Sequence, residues 1–467
     1  MTPPEEDEVQ LSPEDVERIG ALLAGAVGTS HEAGEKVRIP PHKYWSFPGG
    51  TETAVAGWTE ITLGQKITAN ETNWKTGEKG RAWVFSARED MQLTAPLIAS
   101  DGFLNFPSSL KQWGVLWSEA DAPYTAGYPW AKTLKAKGRD LIILGYKDRT
   151  ASILENAKIA KECILKTIAQ RDGAAPLVVG GFSMGGLITR YTLALMEREQ
   201  EDPDIEGPDH ETSTYFSYDS PHRGGWVPIS IQAFAHYLKG LIPSIPQLSN
   251  TLNSPASRQM ASYHIAALPA NPTPVPDPER AKFLSALADV GGFPKKVQKR
   301  IAVANGPADR TVRVVPSVTF ELESPTREAV LYGQDDKAGH RVAVLQKRPG
   351  TQADWTPVDV STTGIPALDG APGGTLATNQ IAVDILKQVF TGATKLSTAF
   401  PWVCFVPTVS AVDVADPASA TAAIPSSPPP DCIFHAYKCA SPSSDPSRLA
   451  HTLLTEELCT WITANLA

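Results

Sequence analysis

The sequence Pro176-Leu-Val-Val-Gly-Gly-Phe-Ser-Met-Gly-Gly-Leu-Ile-Thr-Arg-Tyr191 contains a G-x-S-x-G pentapeptide centred on Ser183. The apolar, β-branched run before the pentapeptide has the length and composition of a buried parallel strand. After it, Leu187, Ile188 and Tyr191 lie at helical spacing. This order of strand, sharp turn and helix is the context in which a strained turn presents a nucleophilic serine.

Further apolar runs indicate that the predicted strand before Ser183 belongs to a larger sheet. Residues 94–103, 140–146, 213–218 and 299–306 each have the length of a buried strand, and an apolar stripe at steps of three and four over 153–168 predicts a helix. Strands separated by long or helical connections favour a mostly parallel sheet with crossover helices. The predicted fold class is therefore α/β.

With these strands around it, the stretch 176–191 resembles the α/β-hydrolase superfamily, and lipases and esterases in particular. The turn Asp219-Ser-Pro-His-Arg-Gly224 is similar to the segment that follows strand six in many bacterial lipases. The resemblance covers most of residues 90–467. It implies an α/β-hydrolase fold, a mostly parallel central sheet with flanking helices, in which Ser183 is the nucleophile.

A serine nucleophile needs a general base, which the superfamily supplies as a histidine that comes last in the chain order. His451 precedes the terminal helix and is the predicted base, with His435 as the alternative. His222 lies too early in the chain for this role, and we expect it to shape the wall of the site.

Three aspartates are candidates for the carboxylate that orients this histidine. Asp309 is preferred because it follows predicted strand seven, the position that most members of the superfamily use. Asp219, at the end of strand six, occupies the position used by pancreatic-type lipases. Asp413 is closest in sequence to the histidine loop, and the three stay open at this point.

The tetrahedral intermediate of acyl transfer needs two backbone N–H donors that face its oxyanion. The resemblance assigns one to Met184, the residue after the nucleophile, and the other to the loop after strand three. In that loop Phe103 is the predicted donor, and Gly102 lets the backbone approach closely.

The domain organisation follows from changes in composition along the chain. Residues 1–35 form a polar N-terminal extension and residues 36–467 one large hydrolase domain. An amphipathic, Pro-interrupted segment over 226–297 predicts a helical cap, either a lid or a plain extension that packs on the core. Short β-prone runs over 311–360 predict a small antiparallel β insertion.

Expectations for the C-terminal part are equally specific. The apolar run 402–412 is predicted to be the last buried strand, and the Pro- and Ser-rich stretch 416–447 a long loop. Thr455, followed by two glutamates, is the predicted N-cap of the final helix.

Composition limits the function classes. The 467 residues carry a formal net charge of −9, which gives a nucleic-acid partner no electrostatic support. No stretch of eighteen apolar residues predicts a transmembrane segment, and the acidic N-terminus does not resemble a signal peptide. A cytoplasmic location is therefore expected, with export by a leaderless route as the open alternative. The five cysteines have no zinc spacing, and whether Cys432 and Cys439 pair is open. No cofactor or metal is expected.

The predicted function is hydrolysis of a small-molecule or lipid-like carboxylic ester through an acyl-enzyme on Ser183. Two alternatives are an acyltransferase that uses the same triad and a catalytically silent binding protein of the same fold. The sequence specifies neither the ester nor the oligomeric state.

Overall fold

The computed structural model describes residues 36–62, 74–118, 128–239, 246–268, 274–325, 327–347, 357–390 and 392–466. The predicted N-terminal extension over 1–35 lies outside these residues. The strands are β1 (Lys36–Ile39), β2 (His42–Phe47), β3 (Thr51–Val55), β4 (Thr59–Thr62), β5 (Gly80–Phe85), β6 (Pro96–Ser100), β7 (Asp140–Tyr146), β8 (Leu177–Phe182), β9 (Thr212–Tyr218), β10 (Lys299–Pro307), β11 (Val318–Glu323), β12 (Arg327–Tyr332), β13 (His340–Lys347), β14 (Val358–Thr362), β15 (Gly373–Leu376), β16 (Lys395–Thr398), β17 (Val403–Pro407) and β18 (Ala436–Ala440).

The helices lie mainly between these strands. They are α1 (Trp130–Ala136), α2 (Ile153–Gln170), α3 (Met184–Glu201), α4 (Ile229–Lys239), α5 (Pro246–Leu252), α6 (Pro255–Met260), α7 (Pro278–Asp289), α8 (Thr378–Val389), α9 (Thr408–Ala411) and α10 (Glu456–Asn465). The side chain of Thr455 accepts a hydrogen bond from the backbone N–H of Leu458, which confirms the predicted N-cap of the final helix.

A nine-stranded sheet with the order β3-β2-β5-β7-β6-β8-β9-β10-β18 forms the centre of the protein. The strands from β7 to β18 run parallel to one another, whereas β5, β2 and β3 continue the sheet in antiparallel pairs. Helices connect consecutive parallel strands, as in β7-α2-β8 and β8-α3-β9. The predicted α/β class, with a mostly parallel central sheet and flanking helices, is confirmed.

Both faces of this sheet are covered, which explains why its strands read as continuous apolar runs. Successive residues of β6 alternate between two cores. Ile98 packs with residues of α2 and α3 such as Ile164 and Leu187. Leu97 packs on the opposite face with residues of α1 and α10 such as Leu134.

The segment after β9 contains helices α4 to α7, in the region of the predicted helical cap. The segment after β10 contains a second sheet of five antiparallel strands, with the order β14-β13-β12-β11-β16. This sheet includes β16, so it extends beyond the predicted boundary at residue 360. The helix α4 packs directly on it: the rings of Phe234 and Phe320 have centroids 5.2 Å apart, and Tyr237 Oη donates to the carbonyl of Gln346.

The structure differs from two expectations for the C-terminal part. The run 402–412, predicted as the last buried strand, forms the buried β17 over its first half and the short α9 after it, and β17 pairs antiparallel with β15 outside the central sheet. The last strand of the central sheet is β18, which pairs parallel with β10 and lies within the predicted long loop. The strand β17 is apolar because it is buried away from the sheet, whereas β18 is a half-exposed edge strand. We refer to β15 and β17 as the β15–β17 ribbon.

Candidate active site

Ser183 occupies a sharp turn at the carboxyl end of β8. Its φ of 52° lies in the left-handed region, and the helix α3 begins at the next residue. A Cβ atom at Gly181 would lie 2.5 Å from the backbone of Gly185, and one at Gly185 would lie 2.2 Å from the carbonyl oxygen of Ser100. Both glycines of the pentapeptide are therefore required by close backbone approach, as the sequence indicates.

A buried carboxylate and imidazole lie beside this turn. Asp219 follows β9 with a φ of 49°, and its Oδ2 is 2.7 Å from Nδ1 of His451. Its Oδ1 accepts a hydrogen bond from the backbone N–H of Asn305 at 3.0 Å. Both side chains of the pair are almost completely buried. Because a carboxylate only accepts, Nδ1 of His451 carries the proton of this bond.

The serine and the acid–histidine pair are neighbours through the sheet. The strands β8 and β9 are adjacent, and the backbone N–H of Ser183 donates to the carbonyl of Tyr218 at 2.9 Å. Nε2 of His451 is buried and has no hydrogen-bond partner within the described ranges. The structure therefore pairs Asp219 with His451 and places Asp219 at the end of the strand next to the one that presents Ser183.

The aspartate preferred from the sequence does not take part. Asp309 is half-exposed and accepts a bond from the backbone N–H of Thr311, two residues away. Asp413 pairs with Arg223 at 3.0 Å and accepts from the backbone N–H of Ile433. The chain leaves the central sheet after β10 for the inserted strands, and the carboxylate at the histidine comes from the end of β9.

The loop after β6 lies against the serine turn. A Cβ atom at Gly102 would be 3.0 Å from Cβ of Ser183, which places the Gly102 backbone in contact with the nucleophile candidate. Met184 is the first residue of α3, where helical N–H groups have no intrahelical acceptor. Phe103 follows Gly102 and is buried, and its side chain lines an apolar pocket.

The strand order, the serine turn at the end of a central parallel strand, and the chain order serine, aspartate, histidine occur together in this molecule. The chain has the α/β-hydrolase fold. Among the described residues, no group of three or more His, Cys, Asp or Glu side chains has the geometry to hold a metal ion, and no helix there has the length and apolar character needed to cross a membrane.

Comparison with known proteins gives only partial similarity. No protein-family model matches the sequence, and no curated protein matches it. Three solved structures illustrate the likeness: a thermophilic carboxylesterase, EstE1, cloned from a metagenomic library (12% identity, 63% of this chain, 77% of that chain, TM-score 0.32); the mature Bacillus licheniformis lipase BlEst2 (12%, 48%, 72%, 0.30); and Est1E from Butyrivibrio proteoclasticus (13%, 30%, 46%, 0.20).

The similarity therefore covers less than half the length of Est1E. All three TM-scores are below 0.5, so the assignment of the α/β-hydrolase fold rests on the strand order and the geometry of the serine turn.

A buried ion pair that the sequence did not reveal fixes the loop after β6. Nη2 of Arg149 lies 2.8 Å from Oδ1 of Asp101, and its Nε donates to the carbonyl of Gly102 at 2.6 Å. Oδ2 of Asp101 accepts from the hydroxyl of Ser108 at 2.6 Å. Arg149 lies three residues after β7. In the sequence, the only indication of this ion pair is that residues of opposite charge follow two predicted strands.

The other candidate histidines have structural partners. His222 is buried between the hydroxyl of Ser217, 2.8 Å from Nε2, and the guanidinium of Arg190, 3.2 Å from Nδ1. Burial, followed by the charges of Arg190 and Arg223, holds the pKa of His222 well below its usual range. His435 is exposed, and its Nδ1 accepts from the backbone N–H of Arg300.

An apolar pocket opens beside the site. Phe103 of the loop after β6 and Phe405 of the β15–β17 ribbon both line it, and the Phe405 ring lies edge-on to His451 with a centroid distance of 4.9 Å. Further lining comes from helices α4, α5 and α6 and the segment before them, which contribute Trp226, Ile231, Ala235, Leu252 and Met260. Among the described residues, the polar side chains of the lining are a few hydroxyl groups such as those of Thr251 and Thr378.

Proposed function

We propose that the protein is a serine carboxylic-ester hydrolase that acts on a hydrophobic ester through an acyl-enzyme on Ser183. The observation that carries this proposal is the buried Asp219–His451 pair at the end of β9, next to the strand that presents Ser183. A serine on a strained turn, a histidine and an orienting carboxylate are the groups that acyl transfer needs.

In the proposed reaction, Oγ of Ser183 attacks the ester carbonyl carbon while Nε2 of His451 takes the hydroxyl proton. The tetrahedral intermediate collapses when the carbon–oxygen bond to the alcohol breaks, and the imidazolium gives its proton to the departing oxygen. Water then attacks the acyl-serine with the same histidine as base, which releases the acid and restores the serine hydroxyl. Asp219 keeps Nδ1 protonated and stabilises the imidazolium.

The oxyanion of each intermediate would accept hydrogen bonds from the backbone N–H groups of Met184 and Phe103. Met184 contributes the free end of α3, where the helix dipole also favours negative charge. Phe103 is oriented by the loop that the Asp101–Arg149 pair fixes. This arrangement gives the loop after β6 a role in the transition state.

The apolar pocket supports a hydrophobic acyl or alcohol group as the substrate portion that it binds. Its described walls consist mainly of aromatic and aliphatic side chains with a few hydroxyl groups, and none of the described lining residues is charged. Burying such a group stabilises binding by about 0.8 kcal/mol per methylene. The substrate class that fits is therefore a lipid-like or aromatic ester rather than a charged one.

The test is turnover of p-nitrophenyl esters of graded acyl length, with a fluorophosphonate probe that labels activated serines. We expect Ser183→Ala to abolish both turnover and labelling. Ser213→Ala is the matched control, because Ser213 is buried at the end of β9 opposite to Asp219 and its hydroxyl donates to the Leu177 carbonyl. A wild-type protein that hydrolyses no ester and takes up no probe would refute the proposal. Addition of an alcohol acceptor separates hydrolysis from acyl transfer.

A further inference from the structure

We propose that the β15–β17 ribbon, which belongs to the insertion between β10 and β18, positions the acid and the base of the site, with Gly374 as the central positioning residue. The inference rests on the proposed function, because it assigns a catalytic consequence to contacts with Asp219 and His451. An insertion of this kind would otherwise be interpreted as a peripheral decoration of the fold.

The first contact is between the ribbon backbone and the acid. A Cβ atom at Gly374 would lie 2.1 Å from Oδ2 of Asp219, the oxygen that binds His451. Only a residue without a side chain fits at that position, and its backbone covers one side of the carboxylate. The Gly374 backbone thus limits where Oδ2 can lie and excludes water from the Asp219–His451 bond.

The second contact holds the backbone of the base. The N–H of His451 donates to the carbonyl of Thr375 at 2.8 Å, and the hydroxyl of Thr375 donates to the carbonyl of Pro446 at 2.6 Å. One residue of the ribbon therefore bonds the histidine loop at two places. From the other side, the side chains of Tyr218 and Asn305 both donate to the carbonyl of Leu453.

The third contact orients the imidazole ring. The Phe405 ring is tilted by 70° to the His451 ring at a centroid distance of 4.9 Å, the edge-to-face arrangement that aromatic pairs prefer. Phe405 lies in β17, which pairs with β15 through Val403, Cys404, Val406 and Pro407. The ribbon therefore touches the carboxylate, the histidine backbone and the histidine ring.

These contacts predict a specific effect of Gly374→Ala. A methyl group at this position has no space beside Oδ2 of Asp219, so either that oxygen or the ribbon backbone that bonds His451 must shift. A misplacement of about 1 Å at a reacting group costs on the order of 100-fold in rate. Gly374 is not among the residues that line the apolar pocket, so we expect kcat on a p-nitrophenyl ester to fall about 100-fold while KM stays within twofold.

The matched control is Gly392→Ala in the same insertion. Gly392 is exposed, and a Cβ atom there would meet nothing within 4 Å. We expect this variant to retain wild-type kcat and KM. Wild-type kcat in Gly374→Ala would overturn the inference, and an equal loss in both variants would also overturn it because the effect would then not depend on Asp219.

A double-mutant cycle that combines Gly374→Ala with Asp219→Asn distinguishes positioning of the Asp219–His451 pair from a general structural effect. If Gly374 acts through Asp219, its substitution adds little once the carboxylate has been removed, so the two losses are strongly non-additive. Multiplicative losses would refute the assignment. Wild type and Ser183→Ala are assayed in the same series, so failure of the proposed function appears as absent wild-type turnover, whereas failure of the inference leaves that turnover intact.

If Gly374→Ala does not fold, as judged by circular dichroism, Thr375 provides the second test. Thr375→Val keeps the shape of the side chain but removes the bond to Pro446, and Thr375→Ser keeps the hydroxyl. We expect kcat to fall several-fold in the valine variant and to recover in the serine variant, with KM unchanged in both. Equal kcat values for wild type and Thr375→Val would contradict the proposed role of the ribbon.

Discussion

The most informative single substitution is Asp219→Asn, because the structure and the sequence favour different acids. In the wild type, Oδ2 of Asp219 accepts from Nδ1–H of His451, and Oδ1 accepts from the backbone N–H of Asn305. In the variant, the amide oxygen can keep the Asn305 bond, which directs the amide N–H₂ group toward Nδ1. The imidazole must then accept at Nδ1 and carry its proton on Nε2.

This change of tautomer determines the size of the effect. A histidine protonated at Nε2 cannot take the proton of Ser183, and the side chains of Asp219 and His451 are almost completely buried in the wild type. In Ser-His-Asp triads this exchange lowers kcat by about 10⁴-fold while the fold stays intact. With each factor of ten equal to about 1.4 kcal/mol, the expected loss of transition-state stabilisation is about 5 kcal/mol.

The assay is steady-state hydrolysis of a p-nitrophenyl ester by wild type, Asp219→Asn and Asp309→Asn, with thermal unfolding of each protein. Asp309→Asn should retain wild-type kcat, because among the described residues that side chain accepts only from the nearby backbone N–H of Thr311. The assignment of Asp219 as the acid is refuted if Asp219→Asn keeps more than a tenth of wild-type kcat, or if Asp309→Asn loses activity to a comparable extent.

Two further predictions concern the pocket and the pH dependence of stability. Ala235→Trp places a large side chain from α4 in the pocket. In this variant, kcat/KM for long acyl esters should fall at least tenfold more than kcat/KM for the acetate ester. Equal losses on both esters would contradict the proposed binding of the acyl chain. Burial alone would raise the pKa of Glu197, but its bonds with His210 and with the backbone N–H groups of Lys295 and Lys296 hold the pKa below its usual value. The contribution of the ionised Glu197 to stability is therefore present at pH 7 and lost as the pH falls through the lowered pKa. Glu197→Gln should lower the free energy of unfolding in urea by about 1.5–3 kcal/mol at pH 7, and the difference from wild type should shrink below about pH 4. A difference that does not change with pH would show that the Glu197 charge is not its cause.

The serine turn could be predicted because its determinants are contiguous in the chain. The strand, the two close-packed glycines and the helix all lie within residues 176–191 and leave a local pattern. The helix cap at Thr455 is predictable for the same reason. The central strands from β6 to β10 could also be located, because each of these apolar runs is buried on both faces.

The position of the carboxylate depended on information that is not local. Asp219 and Asp309 both follow a predicted strand, and nothing in either sequence neighbourhood shows which one faces the histidine loop. That loop is placed by β18, whose residues are mostly half-exposed and follow a Pro-rich stretch, so their pattern resembles a loop. The last buried strand was predicted at β17 because burial against β15 requires the same apolar residue types as burial in the central sheet.

The shared packing of α4 and the second sheet bears on how the protein can be shortened or grafted. The pocket wall and the ribbon both rest on this body, whose apolar residues form a cluster separate from the two that cover the central sheet. We therefore expect a minimal version that keeps only the central sheet and its helices to lose the pocket residues of α4 and the ribbon contacts with Asp219 and His451. If so, a transplant of new specificity would require the inserted segments to be moved together.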